Sequence, residues 1–90
     1  MTTQTNKVIT LYDKKTSMRL TFFEWKILDS ICRAEKLKRK SILELIDKNR
    51  DTEIGFTPAV RLFSLLYLYN FGNKLNGAND IYKLFNAMKK

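Results

Sequence analysis

Hydrophobic and polar positions alternate with a period of two from Lys15 to Leu20 and then take up helical spacing. In Lys15-Thr16-Ser17-Met18-Arg19-Leu20 the alternation sends Thr16, Met18 and Leu20 to one face and Lys15, Ser17 and Arg19 to the other, the pattern of a half-buried strand. A shorter β-prone run, Val8-Ile9-Thr10-Leu11-Tyr12, comes before it. The two runs fit a hairpin turning at Asp13-Lys14, although that pair lacks the Gly or Asn that two-residue turns favour. At Thr21 the period changes. Thr21-Phe22-Phe23-Glu24 is a capping box: the Thr hydroxyl accepts from the backbone NH of Glu24, whose carboxylate reaches back to the NH of Thr21. It predicts a helix to about Lys36, with Trp25, Leu28, Ile31 and Cys32 inward and Lys26, Asp29, Arg33 and Glu35 in water.

A basic interruption, Lys36-Leu37-Lys38-Arg39-Lys40, precedes a second helix over roughly 39–50, whose apolar stripe is Ile42, Leu43 and Ile46. Residues 51–56 read as a loop. Thr57-Pro58 then opens a third helix, 58–71, with Thr57 as N-cap and Pro58 in the first turn. Apolar residues lie almost all round that helix, which predicts a buried spine. Gly72-Asn73 ends it, and a polar link leads to a last amphipathic helix from about Ala78 to Met88, marked by Ile81, Leu84, Phe85 and Met88. Trp25 is read as core and not as a stacking platform, and Tyr67 and Tyr69 as packing residues with polar tips. Cys32 is read as an inert core thiol. Asp47 either caps its helix or pairs with a basic group such as Arg61.

Composition narrows the function. Ninety residues and 10.6 kDa make one small domain with a thin margin of burial, so self-association is expected. The net charge is +8 with no histidine, and the pI is near 9.8, which points to a polyanionic partner. Residues 1–40 hold ten basic and four acidic groups, against seven and five in 41–90, so the positive charge gathers where the chain reads as extended. With a single cysteine there is no intrachain disulfide, and without histidine no zinc-finger or ordinary transition-metal site is expected. Neither a Gly-rich phosphate loop nor a Ser-His-Asp set is present, so the reading is of a protein that is not an enzyme and takes no cofactor. The start of the chain is polar and unlike a signal peptide. The longest apolar stretch, Ala59 to Phe71, is interrupted by Arg61, Ser64 and Asn70 and is too short to span a bilayer. No helix combines a basic face with a bulky apolar one, so a membrane partner is not expected, and a cytoplasmic location is.

An alternating strand, a capped helix, a short basic turn and a second helix together resemble the ribbon–helix–helix DNA-binding family. The resemblance covers about residues 8–71 and is closest to a longer subfamily with an extra N-terminal strand and a third helix. The matching residues are Val8-Ile9-Thr10, Lys15 to Leu20, Trp25 and Leu28, Leu43 with Ile46-Asp47, and Ala59-Val60-Arg61-Leu62-Phe63. It implies a mostly α fold with a short β-ribbon, an intertwined homodimer, and here two extra C-terminal helices. The division expected is a flexible N-terminus over 1–7, the ribbon–helix–helix domain with its third helix over 8–71, and a linker with the C-terminal helix over 72–90.

The resemblance also implies a mechanism. Strands 15–20 of two chains would pair antiparallel across a two-fold axis and enter the major groove of double-stranded DNA. Base contacts then fall to Lys15, Ser17 and Arg19, the last able to hold O6 and N7 of guanine together. Phosphate contacts fall to Lys14, Lys38, Arg39 and Lys40, near the start of the second helix, where family members grip a phosphate through backbone NH groups. This chain departs from the family in carrying Lys at position 38, where a Ser or Thr cap is usual. The expected function is sequence-specific DNA binding as a transcriptional repressor. The alternative is an antitoxin-type interaction module, in which helix 78–88 docks a protein partner instead of folding back over the third helix.

Overall fold

In the computed structural model, which describes residues 4–71, strand β1 (Gln4–Leu11) runs antiparallel to strand β2 (Lys14–Thr21). Pairing is continuous from Gln4 opposite Thr21 to Leu11 opposite Lys14. Helices α1 (Phe22–Glu35), α2 (Arg39–Asn49) and α3 (Phe56–Phe71) follow. The expected helix 78–88 and the linker before it lie outside the described residues.

The ribbon differs from expectation in two ways: its first strand begins earlier and its turn falls elsewhere. Residues 4–7, expected within a flexible N-terminus, are strand, because the alternation of β1 already begins at Gln4. β1 takes one edge of β2 along its whole length, which is the hairpin that the two runs predicted. The other edge of β2 has no strand neighbour among the described residues. The turn is Tyr12-Asp13, one residue before Asp13-Lys14. Both of its residues have positive φ, 52° and 65°, the twist that a two-residue hairpin needs.

Tyr12 holds that left-handed backbone because α2 secures it. Its NH donates to Glu44 Oε2 at 2.8 Å, and its hydroxyl lies 3.1 Å from Asp47 Oδ2 and 3.3 Å from the Glu44 carbonyl. Burial and the Asp47 carboxylate both push the Tyr12 hydroxyl's pKa up, so it stays a donor. Asp13 is tied to the same helix through Lys40, with Nζ 3.6 Å from Oδ1.

The inner face of the ribbon carries Ile9, Met18 and Leu20 into the core, where they join Trp25, Leu28 and Ile31 of α1, Ile42, Leu43 and Ile46 of α2, and Ala59, Val60, Phe63 and Tyr67 of α3. The Thr21–Glu24 capping box forms as the sequence dictates, with bonds of 2.8 and 3.2 Å. α1 closes at Lys36 in a left-handed conformation, φ 57°, with the Leu37 NH bonded back to the Cys32 carbonyl at 3.0 Å. Cys32 is half-buried, and burial, then Asp29, push its thiol pKa up, which leaves it protonated.

α3 starts two residues before the expected position. The Gly55 carbonyl accepts the Ala59 NH at 3.0 Å, so Gly55 and not Thr57 occupies the cap position. Pro58 fits the first turn because no NH there has an intrahelical acceptor. Nor is α3 buried all round. Ala59, Val60, Phe63, Ser64 and Tyr67 are buried, whereas Leu65, Leu68 and Tyr69 face solvent, Tyr69 at 88%. One side of a helix is all that two helices and a ribbon can cover. Asp47 pairs with Arg50 at 2.9 Å, and Arg61 with Glu24 at 2.8 Å, so the expected Asp47–Arg61 contact is replaced by two separate pairs. Among the described residues no helix is long and apolar enough to cross a membrane.

Candidate nucleic-acid interface

Directly opposed residues of an antiparallel pair share a face, so the register sorts the ribbon's side chains. Gln4 stands opposite Thr21, Asn6 opposite Arg19, Val8 opposite Ser17 and Thr10 opposite Lys15, and these four pairs form the outer face. The inner face pairs Thr5 with Leu20, Lys7 with Met18, Ile9 with Thr16 and Leu11 with Lys14. Lys15, Ser17 and Arg19 are all exposed and all on the outer face, as their alternation requires. Met18 and Leu20, at 2% and 1% exposure, fix that orientation, because turning the strand over would put both in water.

The ribbon is anchored at both ends. At the tip it is held by the Tyr12 and Asp13 contacts to α2. At the base, Trp25 Nε1 donates to the Thr5 carbonyl at 2.8 Å. Two cations lie over the Trp25 ring, Lys7 Nζ at 5.1 Å and the Arg39 guanidinium at 5.0 Å from its centroid. Trp25 is therefore core, as its spacing indicated, and it also joins ribbon, α1 and α2.

The expected phosphate-binding cations divide into two groups. Lys38 is the N-cap residue of α2, exposed, with no side-chain cap bond, so its side chain leaves the first NH groups of that helix without an acceptor. Lys14 is exposed at the start of β2, on the helix-facing side of the ribbon. Arg39, by contrast, is engaged within the chain: its Nη2 lies 2.8 Å from Asp29 Oδ1 while its plane covers Trp25. Lys40 is shared with Asp13. Among the described residues no acidic side chain pairs with Lys14, Lys15, Arg19 or Lys38. Positive charge is thus left uncompensated on the outer ribbon and at the α2 start, and consumed between them.

The sequence reading missed Asn6, Val8 and Thr10 as members of this face. Their signal was present, since Gln4, Asn6, Val8 and Thr10 alternate with Thr5, Lys7, Ile9 and Leu11, but the inward set contains Thr5 and Lys7 and so looked polar. An apolar groove of about 400 Å³ runs between α1 and α3, lined by residues that include Phe23, Ile27, Ile31, Tyr67 and Leu68. Among the described residues no cluster of three or more acidic or cysteine side chains could hold a metal ion.

Comparison with known proteins agrees with this architecture. No curated protein and no solved structure matches the chain. A family model described as the ribbon-helix-helix domain matches residues 4–68, from the first residue of β1 to the last turn of α3. The chain belongs to the ribbon-helix-helix domain family, whose members generally bind DNA as transcription regulators.

Proposed function

We propose that this protein is a sequence-specific DNA-binding transcriptional repressor that acts as a cytoplasmic homodimer and presents the outer face of its ribbon to the major groove. One observation carries the reading: Lys15, Ser17 and Arg19 stand exposed and unpaired by acids on a face whose reverse side is locked into the core. A strand held this way presents its outer side chains in a fixed register, and Arg19 has the fork that suits guanine O6 and N7. The Ser17 hydroxyl serves either base type, and Lys15 donates to the same guanine acceptors. Lys14, Lys38 and Lys40 supply phosphate contacts beside the ribbon, Lys40 by releasing the weakly held, exposed Asp13. Arg39 joins them as the fourth phosphate contact expected, from a guanidinium that is part-exposed while it holds Asp29 and Trp25.

Dimerisation is supported by the unpartnered edge of β2 and by the exposed Leu65, Leu68 and Tyr69. The apolar groove between α1 and α3 favours a second role, docking a protein partner in the manner of an antitoxin.

Selection from random duplexes, read with the solution mass, tests the reading. A dimer that enriches a palindromic or repeated site is the expected outcome. Arg19→Ala should relax base preference at one position by about 1–3 kcal/mol, while Lys38→Ala should weaken all sequences alike. Four phosphate contacts from each chain of the dimer give a log–log salt slope of roughly −7. Unchanged affinity and preference in Arg19→Ala would overturn the assignment.

A further inference from the structure

The two strands of the hairpin carry different chemistry on their shared outer face. β2 places Lys15, Ser17 and Arg19 there and so holds all of that face's charge. β1 places Gln4, Asn6, Val8 and Thr10 there, none of them charged, while its one cation, Lys7, is turned to the opposite side and lies over Trp25. In the dimer proposed above, the free edge of β2 receives the β2 of a second copy, and β1 already occupies the other edge. The sheet so formed has four strands in the order β1, β2, β2, β1. Strands lie about 4.8 Å apart, so the two β2 strands run about 2.4 Å from the two-fold axis and the two β1 strands about 7.2 Å from it. A major groove about 12 Å wide has its walls about 6 Å from its centre. The β2 strands fit inside that width. The β1 strands stand over the walls, which are sugar and phosphate.

The side chains match that division. Lys15 and Arg19, on the central strands, are long enough to reach down to base edges. Asn6 and Thr10, on the flanking strands, are short, and their amide and hydroxyl groups donate to a phosphate oxygen at close range. Asn6 is exposed and Thr10 half-buried, and they lie four residues apart, about 13 Å along the strand, so each meets a different phosphate. We propose that β1 is the backbone clamp of the ribbon: Asn6 and Thr10 of each copy donate hydrogen bonds to phosphates on one wall of the groove, while the paired β2 strands read the bases between the walls. Such contacts set the depth and register of the sheet on the duplex and carry no sequence information. The proposal rests on the DNA-binding dimer above and deepens it, since it gives the intrachain partner of β2 a DNA contact of its own.

The test uses the full chain. Sites are selected from random duplexes with the unaltered protein, Asn6→Ala, Thr10→Ala, Asn6→Lys and Arg19→Ala, each first shown by thermal melting to remain folded. Asn6→Ala and Thr10→Ala should enrich the same site as the unaltered protein. Each should weaken binding to that site and to unrelated duplexes by the same factor, roughly 5- to 30-fold for two lost bonds per dimer. Asn6→Lys should steepen the log–log salt slope by about 0.9 for each new phosphate contact, one from each copy. Single methylphosphonates placed along the selected site need no altered protein: those flanking the bases that Arg19 reads should weaken the unaltered protein, and should weaken Asn6→Ala less. A changed base preference in Asn6→Ala or Thr10→Ala overturns the inference, because β1 then lies within the groove. Affinities, salt slopes and methylphosphonate effects that do not move, while Arg19→Ala still loses a base, overturn it equally, because β1 then stands clear of the DNA. If Arg19→Ala also changes nothing, if no site is enriched, or if one chain binds alone, the DNA-reading dimer itself falls.

Discussion

Tyr12 shows what a single residue contributes to this molecule. A tyrosine in the left-handed region costs about 1 kcal/mol or more relative to glycine, and Asp13 adds a second such residue. Three contacts from Tyr12 to Glu44 and Asp47 offset the cost. Removing the hydroxyl in Tyr12→Phe leaves Asp47 with Arg50 alone and should cost about 1 kcal/mol. In a domain of this size that is a fall of about 4–8 °C in Tm, measurable by circular dichroism. The turn was not legible in the sequence, because its compensating partners lie 32 and 35 residues away. Lys15, Ser17 and Arg19 were legible, since period-two alternation needs no knowledge of the tertiary structure. The intrachain roles of Arg39 and Arg61 were not, since several carboxylates were available to each.

Among the elements, α1 was readable almost to the residue because both of its ends carry local signals, the capping box at Thr21 and the basic stretch after Glu35. The start of α3 was harder. Thr57-Pro58 is a common helix opening, but here the helix begins at Phe56, and Thr57 is helical although the following proline disfavours that conformation. Helix α2 has no favourable N-cap, and its first turn holds no acid to offset Arg39 and Lys40. Lys38→Ser should therefore stabilise the free protein by about 1 kcal/mol. The same change should weaken binding to every duplex by a similar factor, since it removes a phosphate contact. Melting and gel-shift titration of one variant would show the two effects with opposite sign.

For the whole molecule, the pair Glu24–Arg61 joins the start of α1 to α3 at 2.8 Å. Burial opposes ionisation of Glu24, but the Thr21 NH and Arg61 outweigh it, and the carboxyl titrates below its ordinary value of 4.5. A carboxylate with a lowered folded pKa contributes stability that is complete above the ordinary value and is lost as the pH falls through the lowered one. Stability should therefore decline on acidification below about pH 4.5. Glu24→Gln, which keeps the capping geometry but cannot ionise, should show a shallower decline in Tm over the same range.

Trp25 is the only tryptophan in the chain, and it sits where the ribbon, α1 and α2 meet, bonded to Thr5 and flanked by Lys7 and Arg39. The protein therefore contains a built-in fluorophore at the base of its hairpin. Light emitted by that one indole registers whether the hairpin is seated on the helices, without any label being added.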